Sequence, residues 1–599
     1  MTSQSRTVGR LPSWAGPLVL LGLGLTACGG GGSSAPPTPA ATFTVGGTVS
    51  GLVRPFSLTL SNNSTDTLTV SANGTFVFSQ RLATGATYAV SLGTSPPGHS
   101  CTLTNSSGSV GAAAVDQISV QCEVNSDFAE LSGAVSDPLS LYTFTDPVLD
   151  PSGAPVLRSV KAMDVDGDGR PELIMVMSKG WGNAFESRSA RSRVTVLKLD
   201  SQYRFSDITP SVMSGANSLA GYAMAARVVD FNADGRPDLL VALSQEDGRF
   251  SGNGSLTGAP QALWLSAGDG KYRWETYGDA AAWATVNTGR DSSGRWFAMG
   301  GGSFTLPNDT FVFSGGLITR NSSLAPNVNA TAFEFLAPTT TGTSDALITV
   351  PTAQLMGLEA YVRTGTGSGS AAWSVAGTLS PLFPKAGSVQ VSTASGALAT
   401  ADVLQSPRGY ILGQGSGVAI RHSCQIRSQP SSAPLALFAV PHWRLANFTT
   451  GQTVSMNDLT VGTLWVAATT TSGALTRVNL TVRDEEVDGV QVGEVECRDI
   501  NADGYDDMVV YPLRQGTMNA APVIYLNARD GTFFKSTFSQ AIPMRPDRSV
   551  PAQTSVVADF DGDGVVDVVI LPATPPTDRS ASAFQGTMKL FKGMRVLTR

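Results

Sequence analysis

Asp164-Val-Asp166-Gly-Asp168-Gly-Arg170-Pro-Glu172 is the first of four aspartate-rich nonapeptides in this 599-residue chain. The other three begin at Asp230, Asp499 and Asp559 and follow the same plan. Side chains with oxygen atoms stand at positions 1, 3, 5 and 9, and Gly at position 6 allows a sharp turn. Hard cations such as calcium prefer such all-oxygen loops. The pattern therefore predicts about four calcium ions as cofactors.

The predicted ligands form four sets, named loops 1 to 4 in chain order. Each set consists of positions 1, 3, 5, 7 and 9, and position 7 contributes its main-chain carbonyl: Asp164, Asp166, Asp168, Arg170 and Glu172; Asp230, Asn232, Asp234, Arg236 and Asp238; Asp499, Asn501, Asp503, Tyr505 and Asp507; Asp559, Asp561, Asp563, Val565 and Asp567. Clustered carboxylates repel one another without a cation, so we expect the ions to be structural clips rather than catalysts. Four metal-free Asx turns are the alternative.

These loops are not EF-hands. An EF-hand needs a bidentate Glu at position 12 and a helix on each side. Position 12 is instead apolar in every copy: Met175, Val241, Val510 and Ile570. Short β-branched runs flank each loop, and such runs bounded by Asp and Gly indicate strands. Each loop is therefore predicted to be the tip of a β-hairpin.

Composition narrows the class of protein. Charged residues make up only 15% of the chain and the net charge is −7, so no basic field exists for nucleic acid. Gly, Ser, Thr and Val are abundant without a sustained helical period, which favours an all-β fold. A length of 599 residues exceeds one ordinary core and predicts two or more domains.

The N-terminus has the layout of an export signal. Arg6 and Arg10 precede an apolar stretch that is too short to span a membrane, and Leu25-Thr-Ala-Cys28 follows it. This end resembles the lipobox of bacterial lipoproteins, which implies a lipidated Cys28 and, with Gly29 next to it, attachment to the outer membrane. We expect a signal peptide at 1–27 and a flexible lipid-anchored tether at 28–41. An ordinary signal peptide with an incidental Cys is the alternative.

The four remaining cysteines would reach an oxidising compartment. Cys101 and Cys122 lie near the ends of one candidate hairpin and are predicted to form a disulfide. Cys424 and Cys497 are much farther apart along the chain, and either a second disulfide or two buried thiols fits them.

Residues 42–123 are expected to form a separate β module. Alternating runs such as Phe56–Leu60, Thr67–Val70 and Thr75–Phe78 are separated by turns at Asn62-Asn63 and Asn73-Gly74. The pattern resembles small immunoglobulin-like or transthyretin-like sandwiches. No chemistry is visible in it, which suggests a spacer or a surface for a partner.

Residues 124–599 carry a long repeat. Loops 1 and 2 begin about 66 positions apart, loops 3 and 4 begin about 60 apart, and the interval from Asp230 to Asp499 holds about four such steps. Seven units result, three of them without the ligand pattern, and eight is the alternative count. Periods of this length indicate four-stranded blades in a β-propeller. The last blade lacks an outer strand, which Leu139 to Phe144 would supply.

Two segments strengthen this interpretation, because each follows its own loop at nearly the same interval. Leu263–Tyr272 and Ile524–Phe533 match the third strand of a blade and its turn into the fourth. Together with the loops they resemble FG-GAP repeats, also called VCBS repeats, of the integrin-α propeller type. The resemblance implies a calcium-stabilised seven-bladed propeller, with the loops on the face away from the main binding surface.

Enzyme signatures are sparse. The three histidines His99, His422 and His442 are dispersed, and the chain contains no H-E-x-x-H pair. We expect a cell-envelope protein that binds a protein or glycan, contacts the membrane through its lipid anchor only, and does not bind nucleic acid. The alternative is a polysaccharide lyase or hydrolase built on the propeller. Clustered acidic, basic and aromatic groups in the central funnel would favour the enzyme.

Overall fold

The structure, a computed structural model, is almost entirely β. It describes residues 40–131, 156–179, 191–244, 261–267, 269–277, 285–290, 296–301, 309–314, 317–320, 330–336, 345–351, 357–363, 373–392, 396–407, 409–413, 422–455, 458–471, 474–478, 480–482, 491–513, 522–536, 555–571 and 588–598. Within these ranges the chain forms 44 strands and one four-residue helix. The all-β prediction is therefore confirmed.

The first ten strands form the N-terminal module. They are β1 (Thr42–Phe43), β2 (Val45–Ser50), β3 (Leu58–Asn62), β4 (Asp66–Val70), β5 (Gly74–Val77), β6 (Leu82–Ala83), β7 (Thr87–Leu92), β8 (His99–Thr104), β9 (Ser107–Ser109) and β10 (Val115–Val124). Two four-stranded sheets, β5-β2-β10-β8 and β4-β3-β7-β9, enclose one apolar core. Alternation of buried and exposed residues along β3 and β7 gives each sheet one core face. The immunoglobulin-like assignment and the limits of the four predicted domains stay predictions.

The remaining elements up to residue 320 follow the module. They are β11 (Phe128–Leu131), β12 (Val156–Met163), β13 (Glu172–Lys179), β14 (Arg191–Leu199), β15 (Phe205–Asp207), α1 (Thr209–Val212), β16 (Leu219–Ala220), β17 (Tyr222–Val229), β18 (Asp238–Ser244), β19 (Gln261–Ser266), β20 (Tyr272–Tyr277), β21 (Thr285–Arg290), β22 (Trp296–Gly301), β23 (Asp309–Ser314) and β24 (Leu317–Arg320).

The C-terminal half continues with strands alone among its described residues. They are β25 (Ala330–Leu336), β26 (Asp345–Pro351), β27 (Leu358–Arg363), β28 (Ser374–Leu379), β29 (Lys385–Ser392), β30 (Leu398–Ser406), β31 (Gly409–Leu412), β32 (His422–Ile426), β33 (Leu435–Leu445), β34 (Thr453–Ser455), β35 (Thr460–Thr471), β36 (Ala474–Val478), β37 (Thr481–Val482), β38 (Gln491–Arg498), β39 (Asp507–Leu513), β40 (Val523–Asn527), β41 (Thr532–Lys535), β42 (Ser555–Ala558), β43 (Asp567–Ile570) and β44 (Lys589–Gly593).

Antiparallel four-stranded meanders are the repeated unit of this part. The described residues hold seven, which we call blades 1 to 7: β12-β13-β14-β15, β17-β18-β19-β20, β21-β22-β23-β24, β25-β26-β27-β28, β32-β33-β35-β36, β38-β39-β40-β41 and β42-β43-β44-β11. First strands of consecutive blades lie side by side from blade 1 to blade 6, and β42 lies beside β12. Blades 6 and 7 share an apolar core. The meanders thus form a ring, as expected of a propeller, and the blade number of the whole chain stays a prediction.

Stacking of blades explains the unbroken apolar runs after the loops. Leu173 and Met175 of β13 pack in a cluster with blade 7, and Ile174 and Val176 pack in a cluster with blade 2. All four side chains are at most 1% exposed. A strand buried on both faces needs no polar alternation, so these runs are strands rather than helices.

Both ends of the domain contribute to blade 7. β11, from the N-terminal side, is its outer strand and pairs with β44, with Phe128 opposite Gly593. The expected mixing of the two ends is confirmed, but the strand is Phe128–Leu131. The segment Leu139 to Phe144 lies outside the described residues.

Blade 5 carries an extension that the spacing of the loops along the sequence does not reveal. β33 is eleven residues long and pairs with β32 at one end and with β31 at the other. β29, β30, β31 and β34 thereby extend this blade into an eight-stranded sheet. The uniform step inferred from the loop positions is therefore only an average over blades 2 to 5.

Residues 1–39, with the predicted signal peptide, Cys28 and most of the tether, lie outside the described residues. Lipid anchoring accordingly stays a prediction. In the part of the chain that the structure describes, no helix is long and apolar enough to cross a membrane.

Candidate metal centres

The four acidic loops occupy equivalent places in their blades. Each joins a first strand to a second strand: β12 to β13, β17 to β18, β38 to β39 and β42 to β43. They are hairpin tips with strands on both sides, so the exclusion of EF-hands is confirmed. Blades 6, 7, 1 and 2 follow one another around the ring. The loops therefore line one continuous arc that includes the blade where the two chain ends meet.

Left-handed backbone at two positions gives the loops their tight curvature. Position 6 has φ between 85° and 87° in all four copies: Gly169, Gly235, Gly504 and Gly564. Glycine adopts this conformation without a steric penalty, as the sequence predicts. Position 4 is also left-handed, including two alanines, Ala233 at 58° and Ala502 at 57°. Sequence reasoning missed position 4, although Gly167 and Gly562 in the other two loops were its signal.

The position 1 carboxylate organises each loop. Both oxygens of Asp164 accept main-chain N–H groups, from Gly167 at 2.7 Å and from Gly169 at 2.9 Å. In loop 3 the same residue type accepts from Asp503 at 3.1 Å and Gly504 at 2.7 Å. Position 5 accepts from the N–H of position 7 in every copy: Arg170, Arg236, Tyr505 and Val565. These bonds fix the orientation of the carboxylates at positions 1 and 5.

The position 9 carboxylate ties the loop to the sheet. It is at most 1% exposed in all four copies: Glu172, Asp238, Asp507 and Asp567. One oxygen accepts the N–H of position 2 at 2.8 to 3.2 Å in each loop. In loops 2 to 4 the other oxygen accepts an N–H of the third strand. This anchoring role is not visible in the sequence, because the partners are main-chain groups.

Burial makes the position 9 carboxylates hard to ionise without a cation. Desolvation raises the pKa of Asp238 and of Asp507 to about 6. Burial raises the pKa of Asp567 to about 7, although Lys592 opposes the shift. Burial also raises the pKa of Glu172. A bound cation would favour the ionised form in each loop.

Lysine side chains enter two of the loops. The Lys198 ammonium contacts Asp166, lies 2.8 Å from an oxygen of Asp168 and lies 3.2 Å from Glu172. In loop 4 the Lys592 ammonium lies 3.1 Å from Asp561, 2.7 Å from Asp563 and 3.4 Å from Asp567. Burial lowers the pKa of each lysine, but the carboxylates outweigh it and raise both above their usual range.

In loops 2 and 3 the carboxylates are contacted by groups other than lysine. The Asn232 amide donates to Asp234 at 3.0 Å, and the Ser266 hydroxyl donates to the same carboxylate at 2.8 Å. In loop 3 a surface arginine, Arg529, lies 3.2 Å from Asp503, and its side chain is 51% exposed. These contacts reach position 5 alone.

The donor set fits a hard divalent cation. Ligand oxygens of Asp164, Asp166 and Glu172 lie within 4.8 Å of one another, as do those of Asp559, Asp561 and Asp563. Carboxylates and amide oxygens are the donors that calcium takes. These two acidic clusters can therefore hold a metal ion. The ligand sets for four calcium ions, including the position 7 carbonyls, stay a prediction.

A second cluster of charges lies where first strands face the middle of the ring. Lys161 of β12 and Arg227 of β17 both bond Glu494 of β38, the arginine at 2.7 Å. Lys161 also lies 3.6 Å from Glu496, whose other oxygen accepts the Tyr511 hydroxyl at 3.1 Å. Burial opposes ionisation of Glu494, but the two cations outweigh it and lower its pKa. We call this group the central cluster; sequence reasoning did not locate it.

Two disulfides are present among the described residues. Cys101 and Cys122 are directly opposed on β8 and β10, so this predicted bond is confirmed. Cys424 and Cys497 also pair, which decides between the two alternatives. The second bond joins the first strands of blades 5 and 6.

Trp264 of blade 2 and Trp296 of blade 3 are packing residues. Trp264 is fully buried and stacks on Tyr272 at a centroid distance of 4.2 Å. It belongs to the core between blades 1 and 2. Trp296 is half-buried and packs edge-on against Phe231 at 6.1 Å. Trp283 lies outside the described residues. Trp264 therefore has no exposed face that a ligand could contact.

A comparison with known protein families finds a match in the segments that contain the four loops. The model of the FG-GAP-like repeat matches residues 164–241, which contain loops 1 and 2, and residues 499–570, which contain loops 3 and 4. No curated protein sequence matches the chain.

Solved structures resemble the chain only at low identity. A complex of BBS1N with ARL6DN is 10% identical, with 59% of this chain and 96% of that one covered and a TM-score of 0.25. A post-proline cleaving enzyme from Rickettsia typhi is 10% identical over 69% and 49%, with a TM-score of 0.27. An exo-β-1,3-galactanase from Clostridium thermocellum is 10% identical over 75% and 95%, with a TM-score of 0.26. None of these likenesses indicates an activity. Strand pairing and the repeat matches together make the chain a β-propeller protein that carries FG-GAP-like repeats at two places.

Proposed function

We propose that this protein is a calcium-stabilised binding lipoprotein of the bacterial cell envelope, whose propeller presents a face to a protein or glycan ligand. The observation that carries the proposal is the arc of loops on blades 6, 7, 1 and 2. Cations on this arc would brace the seam at which the two ends of the domain meet. Propellers so braced offer broad, rigid loop surfaces, although the fold alone does not identify a ligand.

Energetics supports a structural role for the ions. Extracellular-type calcium sites bind at about 10⁻⁴ M, so calcium at about 1 mM contributes about 1.4 kcal/mol at each site. Four such sites would supply about 6 kcal/mol and two would supply about 3 kcal/mol, and either is a sizeable part of a net stability of about 5–15 kcal/mol. The acidic side chains of the loops are used at ligand positions and in main-chain bonds, which leaves few of them free to touch a partner.

An envelope glycan lyase or hydrolase is the second candidate, and the central cluster is the observation that favours it. Two carboxylates stand near each other in the middle of the ring, where a propeller can hold a substrate. The charges around these carboxylates favour a binding role over catalysis. Glu494 is held ionised by two cations, whereas a general acid needs a raised pKa. The carboxylates and cations already neutralise one another.

Chelation tests the role of calcium. We expect EDTA to lower the melting temperature of the purified full chain and calcium to restore it, while magnesium restores less because it prefers a smaller octahedral site. Asp234→Ala should remove part of the calcium effect, and Lys589→Met, outside the loops, should leave it intact. Scanning calorimetry supplies the measurement. An EDTA curve identical to the calcium curve would remove calcium from the proposal.

A glycan array and a pull-down from envelope extracts test binding. We expect a ligand whose affinity falls on calcium removal only as far as the folded fraction falls, followed in parallel by circular dichroism. Loss of binding by folded protein would place an ion in the interface. Turnover of a bound glycan, abolished by Glu496→Gln, would establish the enzyme instead.

Fractionation tests the location. We expect Cys28→Ser to release the protein from membranes, because lipidated Cys28 is the proposed anchor. The wild-type chain and Cys424→Ser, which keeps Cys28, serve as controls and should stay membrane-bound. Retention of the Cys28→Ser variant in the membrane fraction would rule out this anchor.

A further inference from the structure

The residue opposite position 9 on the third strand separates the loops into two classes. β13 pairs with β14 so that Leu173 faces Leu197, which places Lys198 opposite Glu172. β43 pairs with β44 so that Val568 faces Phe591, which places Lys592 opposite Asp567. The same registers in blades 2 and 6 place leucines there, Leu265 and Leu526.

Lysine occurs together with an additional carboxylate. Loops 1 and 4 have Asp at position 3, Asp166 and Asp561, and each therefore has four acidic ligands. Loops 2 and 3 have Asn there, Asn232 and Asn501, and three acidic ligands. In each of the four loops, the fourth carboxylate and the lysine are thus either both present or both absent.

Each ammonium contacts three of the five predicted ligand positions. Lys198 reaches the carboxylates of positions 3, 5 and 9 in loop 1, and Lys592 reaches those of positions 3, 5 and 9 in loop 4. An ammonium has three donors, and these three carboxylates use all of them. A divalent cation bound to the same oxygens would lie next to this positive charge.

The carboxylates of loops 1 and 4 can by themselves hold a metal ion, but each set already surrounds an ammonium group. We propose that Lys198 and Lys592 are built-in counter-cations that occupy the cation position of these two loops and so confine calcium to loops 2 and 3. The two lysines differ in accessibility. Lys592 is 1% exposed and cannot turn into solvent without opening the blade, whereas Lys198 is 21% exposed. Loop 4 therefore excludes calcium more strongly than loop 1. This inference rests on the proposed binding of calcium to the loops.

Calcium stoichiometry tests the inference. Isothermal titration of the EDTA-treated full chain with calcium chloride should give two ions for the wild type. Lys198→Met and Lys592→Met keep a long side chain without its charge, and each should add one ion. Lys589→Met, on the same strand as Lys592 but in contact with Glu130, is the matched control and should leave two.

Substitutions of loop carboxylates provide a second test, which does not require the lysine variants to fold. Asp234→Asn in loop 2 should reduce the wild-type count from two to one, and Asp166→Asn in loop 1 should leave it at two. Four ions in the wild type, or a count unchanged by both lysine variants when they are folded, would overturn the inference. A wild type that binds none, with lysine variants that each bind one, would remove calcium from loops 2 and 3 but support the lysine role. No calcium in any variant would overturn both proposals.

Discussion

At the scale of single residues, acidic side chains occur in two kinds of group. The four loops gather carboxylates in excess of the protein cations that contact them among the described residues, which are Lys198, Lys592, Arg170 and Arg529. The central cluster does the reverse, because Glu494 has a cation from blade 1 and another from blade 2. Blade 6 is thereby connected across the middle of the ring to blades that are not its neighbours.

Glu494→Gln should destabilise the propeller in a pH-dependent way. At pH 7 the variant removes the Glu494 charge from Arg227 and leaves Lys161 with Glu496 alone. Breaking a buried ion pair in this way costs about 3–5 kcal/mol. The pKa of Glu494 is lowered in the fold, so its stabilisation is present above the ordinary pKa of 4.5 and is lost as the pH falls below that value.

Urea unfolding of wild type and Glu494→Gln at pH 7, 5, 4 and 3 measures this effect. We expect the difference in unfolding free energy to be largest at pH 7 and 5 and to shrink at pH 3. Arg273→Gln, which breaks an exposed ion pair with Glu275, is the control and should change little at any pH. A difference that stays constant from pH 7 to pH 3 would show that charge pairing is not its cause.

At the scale of elements, neighbouring blades are held by packed side chains and, in one place, by a covalent bond. The Cys424–Cys497 disulfide links β32 to β38, and its two cysteines are 73 residues apart in the sequence. Blade 5 also carries the extension β29 to β31, so this bond joins the most elaborate blade to the arc of acidic loops.

Replacing Cys424 and Cys497 together by Ser should lower stability by about 2–4 kcal/mol, because the unfolded chain regains the freedom of a long closed loop. Tryptophan fluorescence during urea unfolding is a selective probe, since all eight tryptophans after residue 27 lie outside residues 42–123. The matched control replaces Cys101 and Cys122, in the module without tryptophan, and should leave this transition in place. Equal shifts in both double variants would contradict an inter-blade role.

At the scale of the whole molecule, ring closure depends on a strand that precedes every other propeller strand. Phe128 of β11 is 7% exposed and packs with Val568 and Phe591 of blade 7 and Ile500 of loop 3. Because blade 7 lies between blades 6 and 1, loosening its outer strand exposes apolar surface on both sides of the seam.

Phe128→Ala should lower propeller stability by about 3–5 kcal/mol through the lost burial and the cavity left behind. The tryptophan transition in urea should move to lower concentration, although the described core around Phe128 contains no tryptophan. Phe78→Ala removes a ring that is also buried, at 1% exposed, from the N-terminal module and should leave that transition in place. If Phe128→Ala unfolds with the wild-type midpoint, β11 does not close the ring.

The sequence alone predicted the loops, their hairpins, the strands that follow them and the repeat that arranges them. These features are local: a run of Asp and Gly within one nonapeptide specifies a turn whatever surrounds it, and a doubly buried strand is visible as an unbroken apolar run. The sequence also predicted that the two ends of the domain share the last blade, because the last repeat unit is one strand short.

Only the tertiary structure placed groups that are far apart in sequence. Lys592 follows Asp561 by 31 residues and Glu494 follows Lys161 by 333, and no short-range pattern records either pairing. Likewise, the extension of blade 5 was hidden because its added length compensated for a short blade 3. The loops could be predicted because their candidate ligands lie within one turn of the chain. The lysines that contact loops 1 and 4 are instead positioned by the register of neighbouring strands, and the central cluster is assembled by the closure of the ring.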